Sequence, residues 1–171
     1  HLVDGTALAG AHGAAGEIGH VVVRPGGPAC GCGQFGCLEA VASAAAVGRH
    51  YTELAGVPAT AADVATQLGR DDLADRVWRE TVDALADGLV IAQALFDVER
   101  VVLGGGLAEA GERLLEPLRV ALRQRLTFHR EPQLVTAALG DEAGCLGAAL
   151  LALDALPATD AVPALDNVEA P

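Results

Sequence analysis

The feature that most constrains the fold of this chain is a run rich in cysteine, glycine and proline over residues 24–39. Glycine and proline favour turns, so no regular helix or strand accommodates this run. It contains Cys30, Cys32 and Cys37 and is preceded by His20, which gives the pattern H-x9-C-x-C-x4-C. Three thiolates and one imidazole are a common tetrahedral set for Zn²⁺, and the intervening glycines permit the tight turns it needs. The sequence therefore predicts a closed, structural zinc site.

Two other interpretations of these cysteines stay open, namely three free thiols, or one disulfide with a leftover thiol. A disulfide is disfavoured because nothing in the chain reads as a secretion signal, and Cys30 and Cys32 are separated by a single residue. Cys145 lies apart, in an apolar Gly/Ala segment. We expect it to be a small buried hydrophobic residue rather than a ligand.

Two carboxylates flank the cysteine run. Glu17 precedes His20 by three residues, and Glu39 follows Cys37 by two. A loop held by zinc would bring both carboxylates near the imidazole, and such a set suits a polyhydroxylated ligand such as a sugar, because carboxylates accept hydrogen bonds from hydroxyl groups. Taken singly, Glu39 is better explained as a charge at a helix N-terminus and Glu17 as a solvated turn residue.

Charge and hydropathy exclude several classes of function. The chain of 171 residues has a net charge of −12, so it offers no basic patch for nucleic acid and is repelled by an anionic membrane surface. No stretch approaches the roughly 20 apolar residues of a membrane helix. Because half of the residues are hydrophobic, most of the chain should be folded. We expect a cytoplasmic domain with no membrane partner and, for this chain, no nucleic-acid partner.

Periodicity and turn residues predict the remaining elements. The chain starts abruptly at a hairpin, which leads us to expect that a strand and a domain precede it. Alternation of strand and helix after residue 71 favours the α/β class. The predicted elements are a hairpin over 2–8 with an Asp4-Gly5 turn, strands at 21–23, 99–103 (buried) and 133–138, helices at 39–54, 60–68, 71–96, 107–126 and 143–153, and a loose tail from 156.

Two ordered motifs resemble a known signature. GEIGH at residues 16–20 is followed by CGCGQFGCLE at 30–39 and by Ser43. This resembles the ROK family of repressors, open reading frames and sugar kinases, whose signature is G-E-x-G-H, about nine residues, then C-x-C-G-x-x-G-C-x-E-x-x-x-S. Residues 101–106 resemble the family's nucleotide-side glycine turn and 140–149 its closing helix. The resemblance covers about residues 2–153, and it departs at Gln34-Phe35, where many members carry Asn-Arg.

The resemblance implies the C-terminal lobe of the actin-like (ribonuclease H-like) ATPase fold, with a zinc-pinned loop. The lobe would span residues 1–155, residues 156–171 would be a flexible tail, and the N-terminal lobe would be missing. The implied structural zinc ligands are His20, Cys30, Cys32 and Cys37. The implied sugar-binding residues are Glu17, His20 and Glu39, and the residues bordering the adenosine are Gly104, Gly105 and Gly106.

The implied function is that of an ATP-dependent sugar kinase of glucokinase type, acting on glucose, a related hexose or an N-acetylhexosamine with ATP and Mg²⁺. The family's catalytic Asp and its D-x-G-G-T phosphate loop belong to the N-terminal lobe, so no catalytic residue is assigned here and this chain alone is expected to be inactive. The alternatives are the sensing domain of a sugar-responsive repressor, and a zinc-stabilised scaffold or dimerisation domain without a ligand site. The family resemblance also implies a homodimer or a higher homo-oligomer.

Overall fold

The computed structural model describes residues 1–154, so the predicted tail over 156–171 lies outside the described residues. Contacts within the chain divide it into two units, the first being His1–Ala137 and the second beginning at Ala138. The first unit contains the hairpin, a parallel strand pair and five α-helices, and the described part of the second contains one α-helix. Within residues 1–154, no helix is both long enough and apolar enough to cross a membrane.

The helices are α1 (Leu38–Ala42), α2 (Ala44–Ala55), α3 (Ala61–Gln67), α4 (Asp72–Phe96), α5 (Glu112–Arg125) and α6 (Ala143–Asp154). The strands are β1 (Leu2–Val3), β2 (Thr6–Ala7), β3 (Arg100–Leu103) and β4 (Gln133–Thr136). β1 pairs with β2 in antiparallel fashion, and β3 pairs with β4 in parallel. Strand and helix thus alternate after residue 71, as predicted for an α/β chain.

Helix α4 is the centre of the first unit. Its N-terminus is capped by Asp71, whose carboxylate accepts a hydrogen bond from the backbone N–H of Leu73 at 2.8 Å. Its apolar face packs against α5 and the shorter helices. The Trp78 indole N–H donates to the carbonyl of Arg113 at 3.0 Å, which fixes α5 beside α4. The fully buried side chains of this core include Val47, Val64, Val77, Leu114, Leu118 and Leu122.

Local turn and cap signals are confirmed. Asp4 and Gly5 both have positive φ, as the predicted two-residue hairpin turn requires. Gly56 ends α2 in a left-handed conformation. Thr60 and Asp63 form the predicted capping box, with each side chain bonded to the other residue's backbone N–H. These signals depend only on neighbouring residues, which is why sequence alone locates them.

The helix predicted over 39–54 is two helices. Ser43 leaves the helical conformation, with φ −82° and ψ 162°, and its hydroxyl accepts a hydrogen bond from the Ala46 backbone N–H at 3.1 Å. The apolar periodicity continues across the break, so periodicity did not reveal it. The break turns α2 away from α1 directly after the segment that carries Glu39.

The helix predicted over 107–126 also begins later than expected. Residues Ala108–Ala110 form a 3₁₀ turn, Gly111 adopts φ 58°, and α5 starts at Glu112. Glycine tolerates this conformation without the steric cost that a Cβ would impose. The predicted helix was therefore correct in kind and too long by about one turn.

Two predicted strands need correction. Residues 21–23 do not form a strand, because the only bridge found there joins Val22 to Cys37. The strand predicted over 99–103 exists as β3, but it is not buried, since Val102 is 60% exposed. In the described residues β3 has β4 as its single strand partner. Val101 and Leu103, on one face of β3, pack against the core, whereas Val102 is on the opposite face, which no layer of the described residues covers.

The second unit corrects the expectation for Cys145. Helix α6 forms as predicted, but Cys145 is exposed in it. The apolar side chains of the same helix, including Leu150 and Leu151, are also exposed. Cys145 lacks burial because no side chain of the described residues covers its part of α6.

Candidate functional site

The four predicted metal ligands converge on one point. One ligand atom from each of His20, Cys30, Cys32 and Cys37 lies within 4.8 Å of the others. The Sγ atoms of Cys32 and Cys37 are 3.6 Å apart, and Cys30 Sγ is 3.6 Å from His20 Nδ1. Zn–S bonds of about 2.3 Å and a Zn–N bond of about 2.0 Å give tetrahedral edges of roughly 3.8 Å for S···S and roughly 3.5 Å for S···N. Both measured distances therefore fit a tetrahedral zinc site.

Backbone hydrogen bonds hold the cysteine loop in this shape. Cys30 N–H donates to the Gln34 carbonyl at 2.8 Å, and Gly36 N–H donates to the Pro28 carbonyl at 2.7 Å. The Gly36 carbonyl in turn accepts from Arg24 N–H at 3.0 Å. The loop is thus closed on itself on both sides of Cys32. Because these bonds need no strand partner outside the loop, a segment rich in glycine and proline can present three sulfurs to one centre.

Gly36 is required by the close approach of two backbone segments. It has φ 75°, and a Cβ at this position would lie 1.6 Å from the Arg24 carbonyl oxygen. No side chain fits there. The glycine that directly precedes Cys37 thus lets the start of the loop cross its end.

The three thiols differ in environment. Burial, with the neighbouring sulfurs of Cys32 and Cys30, raises the pKa of the buried Cys37 to about 12. Cys32 is exposed, and a hydrogen bond from the backbone of Gln34 lowers its pKa. A thiol that resists ionisation at neutral pH becomes a thiolate when a cation supplies the compensating charge. A divalent metal would therefore displace a proton from Cys37.

The two predicted carboxylates lie beside the cluster. Glu17 Oε2 is 3.8 Å from His20 Nε2, on the side of the ring away from Cys30. Glu39 is on α1, and its side chain packs against Gly19, where an added Cβ would lie 3.7 Å from Glu39 Oε2. Glu17, Gly19 and His20 belong to one turn. The turn that carries two of the predicted sugar-binding residues, Glu17 and His20, therefore lies against the helix that carries the third, Glu39.

The predicted glycine turn follows β3. Gly105 has φ 76°, and its carbonyl accepts a hydrogen bond from Ala108 N–H at 2.9 Å. Gly106 borders two clefts, of about 290 and 390 Å³. A Cβ on Gly106 would lie 3.7 Å from that of Ala44, the first residue of α2. The glycine turn thus lies against the start of α2, five residues after Glu39.

Sequence reasoning missed two residues that support the loop. Arg24 Nη1 donates to Asp87 Oδ2 at 2.5 Å, although the two residues are 63 positions apart. Asp87 lies on α4, one turn after the acidic Asp83, and no local sequence pattern distinguishes it. Only the folded chain shows the pairing.

The fold and the site together define an α/β unit in which two carboxylates flank a Cys₃His loop and a glycine turn borders two clefts. A family described as the ROK family matches residues 2–155. The chain belongs to the ROK family, as the two sequence motifs indicated.

Curated relatives are sugar kinases. The chain is 40% identical over 167 residues to the glucokinase of Thermotoga maritima, an alignment that covers 86% of this chain and 52% of the relative. It is 41% identical over 153 residues to an N-acetylmannosamine kinase of Escherichia coli, covering 87% of this chain and 50% of that protein. The chain spans about half the length of the curated relatives it matches.

Solved structures agree in fold. The ROK hexokinase of Thermus thermophilus is 40% identical with a TM-score of 0.79, covering 88% of this chain and 52% of that one. A ROK glucokinase of Streptomyces griseus, in complex with glucose and AMPPNP, is 29% identical with a TM-score of 0.78, covering 88% of this chain and 55% of its own. A ROK transcriptional regulator, homologous to the E. coli MLC protein, is 30% identical with a TM-score of 0.66, covering 79% and 37%. The chain therefore shares the actin-like ATPase fold of the ROK kinases.

Proposed function

We propose that this chain is the sugar-binding, C-terminal half of an ATP-dependent ROK sugar kinase. The observation that carries the proposal is the convergence of Glu17, His20 and Glu39 beside one Cys₃His cluster. Two carboxylates and an imidazole on adjoining elements suit the hydroxyl groups of a hexose or an N-acetylhexosamine. The names of the curated relatives support the same substrate class.

Zinc fits the cluster as a structural ion. Three sulfurs and one imidazole nitrogen fill the four positions of a tetrahedral site, which leaves none for a reacting water. The role of Zn²⁺ is then to fix the loop and the orientation of His20. With Nδ1 on the metal, the Nε2 N–H remains available to Glu17 or to a sugar hydroxyl.

The residues of this half would bind and orient the sugar. Glu17 and Glu39 accept hydrogen bonds from ring hydroxyls, which holds one hydroxyl toward the phosphate donor. The general base would be an Asp in the N-terminal half, as the family resemblance implies. ATP with Mg²⁺ supplies the phosphoryl group and neutralises part of its charge. Gly104, Gly105 and Gly106 would border the adenosine, because a turn without side chains permits close approach.

A hybrid enzyme tests the proposal. It joins the N-terminal half of the Thermotoga maritima glucokinase to this chain, and ATP-dependent phosphorylation is measured with glucose and N-acetylmannosamine. We expect activity from the hybrid and none from this chain alone.

Glu39→Gln should reduce the hybrid's activity on the order of 10²-fold, because the reacting hydroxyl is no longer held in place. Glu53→Gln, an exposed residue of α2, is the matched control and should retain activity. A folded hybrid that phosphorylates neither sugar contradicts the proposal.

A sugar-responsive repressor is the second candidate, favoured by the likeness to the ROK transcriptional regulator. The two candidates differ in what precedes this half. A D-x-G-G-T phosphate loop without a DNA-binding module upstream supports the kinase, and a winged helix upstream supports the repressor. Sequencing the gene upstream of the codon for His1 decides between them.

We also propose that the protein forms a homodimer or a higher oligomer, as the family resemblance implies. Exposed apolar side chains such as Val102 and Phe128 are compatible with buried interfaces. Light scattering after gel filtration measures the mass directly. A monomer at micromolar concentration would overturn this part of the proposal.

A further inference from the structure

We propose that Asp87 is a positioning residue for the zinc loop, acting through a clamp formed by Arg24, Asp87 and Arg125. The inference rests on the proposed zinc centre and goes beyond its ligands. It assigns to α4 a carboxylate that holds the cysteine loop in the shape that binds the metal.

Arg24 joins the clamp to the loop. Its side chain donates to Asp87 Oδ2 and also to the Val23 carbonyl, at 2.7 Å. Its backbone N–H donates to the Gly36 carbonyl, and its carbonyl accepts from Gly27 N–H at 2.8 Å. One residue is therefore bonded to α4 through its side chain and to both ends of the loop through its backbone. Any displacement of Arg24 moves Gly36, which directly precedes the ligand Cys37.

Arg125 fixes the other oxygen of Asp87. Its Nε donates to Asp87 Oδ1 at 2.7 Å, its Nη2 to Asp83 Oδ1 at 2.8 Å, and its Nη1 to the Ala121 carbonyl at 2.9 Å. Both carboxylate oxygens of Asp87 are thus occupied by guanidinium donors from different elements. Charge-assisted bonds of this kind are stronger than neutral ones and are geometrically specific. Arg125 of α5 thus fixes the orientation of the Asp87 carboxylate that accepts from Arg24.

Gly88, the next residue of α4, contacts the C-terminal end of the loop. Gly88 lies against Leu38, and a Cβ on Gly88 would be 2.5 Å from Leu38 Cδ2. Leu38 is buried and directly follows Cys37. Consecutive residues of α4 therefore contact the loop at both ends, Asp87 through charge and Gly88 through packing. Adjacent positions of α4 thus hold Arg24, at the start of the loop, and Leu38, next to the ligand Cys37.

The charges at the clamp favour this arrangement. Burial alone would raise the pKa of Asp87, but the hydrogen bonds from Arg24 and Arg125 outweigh it and hold the pKa below its usual range. The side chains of Asp87 and Arg24 are about one-third exposed. An isolated surface pair at this exposure contributes little, so the effect of the clamp is expected in the geometry of the loop rather than in the stability of the core.

The test measures zinc affinity of the 171-residue chain by competition with a chromophoric chelator. Arg24→Gln and Asp87→Asn should each lower zinc affinity by about 10-fold or more, as loss of a residue supporting the metal ligands commonly does. Arg24→Lys should recover part of the loss because it restores the charge. Asp83→Asn is the matched control, since Asp83 contacts Arg125 but not the loop, and it should bind zinc as the wild type does.

The outcomes separate the clamp from the proposed zinc centre. Melting temperatures of the metal-free variants show whether each one folds. Arg24→Gln leaves the Asp87–Arg125 pair in place, so it serves if Asp87→Asn does not fold. Wild-type affinity in Arg24→Gln, or an equal loss in Asp83→Asn, overturns the clamp. Absence of zinc binding by the wild type overturns the zinc centre itself, whatever the variants do.

Discussion

Gly26 and Gly36 have nearly the same backbone conformation, with φ of 74° and 75°, but different surroundings. An alanine at Gly26 meets no atom within 4 Å, whereas one at Gly36 collides with the Arg24 carbonyl. Gly26→Ala should therefore cost only the strain of a left-handed residue, about 1 kcal/mol. Gly36→Ala should cost roughly 1–3 kcal/mol more. Denaturant unfolding of the two variants measures the difference. Equal losses in the free energy of unfolding would show that the contact between Gly36 and the Arg24 carbonyl is not tight.

Zinc content should depend on the cluster cysteines and not on Cys145. Replacing Cys32 or Cys37 by Ser should abolish stoichiometric zinc, since a hydroxyl does not replace a thiolate ligand, and should unfold the 24–39 loop. Cys145→Ser is the control, because Cys145 lies outside the cluster. Metal analysis of the purified proteins makes the comparison. Zinc retained in Cys32→Ser would count against the ligand assignment.

The Tyr51–Asp71 hydrogen bond should make stability depend on pH. The Tyr51 hydroxyl donates to Asp71 Oδ2 at 2.5 Å, which lowers the pKa of Asp71 and raises that of Tyr51. The stabilisation is complete above the unfolded Asp pKa of about 3.9 and is lost as pH falls through the lower folded value. On the basic side it is complete below the unfolded Tyr pKa of about 10 and is lost as pH rises through the higher folded value.

Tyr51→Phe removes that bond and leaves the ring. Its melting temperature should lie below that of the wild type at pH 7, and the difference should shrink as pH falls below about 4. Thermal unfolding followed between pH 7 and pH 3 gives both values. A difference that stays constant over this range would mean that the bond does not titrate.

The ligands of the cluster were predictable because their spacing and residue types carry the signal. His20, Cys30, Cys32 and Cys37 converge as expected. Asp87 was not predictable, because its partner Arg24 is distant in sequence and either residue alone resembles an ordinary surface charge. The sequence thus indicates metal ligands that lie close together along the chain. It does not indicate residues of another element, such as Asp87, that hold the loop in place.

At the scale of elements, Ser43 separates the helix that carries Glu39 from the next one. Ser43→Ala removes the side chain that accepts from Ala46 N–H, and loss of such a cap costs about 1 kcal/mol. Ser43→Thr keeps the hydroxyl and should retain most of the stability. Urea unfolding compares the two variants. Equal stability of Ser43→Ala and the wild type would show that the break does not depend on the cap.

Elements whose ends carry capping or turn residues were predicted well. Gly56 and the Thr60–Asp63 box end and start helices through contacts within four residues. The Ser43 cap is equally local, but apolar residues continue on either side of it, so the helical periodicity concealed the break. The segment 21–23 is rich in β-branched valine, but a strand needs a partner along its length, and there a single bridge forms.

At the scale of the whole molecule, stability of the first unit depends on packing between α4 and α5. Leu118 is fully buried in this core, whereas Val120, two residues further along α5, is 43% exposed. Leu118→Ala should lower the free energy of unfolding by about 3 kcal/mol. Val120→Ala should change it by less than about 0.5 kcal/mol. Chemical unfolding measures both, and similar losses would contradict the assigned core.

The α/β class was predictable because alternation of periodicities is a property of the whole chain. Burial of β3 was not, since the exposure of Val102 depends on whether another layer covers its face of the strand pair. Periodicity indicates which elements form. It does not give the number of layers that cover them.

The imidazole of His20 has a different neighbour on each nitrogen, a thiol sulfur on one side and a carboxylate on the other. A group that withdraws or donates charge at Nε2 changes the donor strength of Nδ1. Binding of a ligand at Nε2 and binding of a metal at Nδ1 are therefore thermodynamically linked. A ligand that binds at Nε2, beside Glu17, would change the affinity of the cluster for the metal by a certain factor. The metal would change the affinity for that ligand by the same factor. Loading with Co²⁺ would then convert the cluster into an optical reporter, in which a shift of the visible absorption band registers binding at the adjacent site.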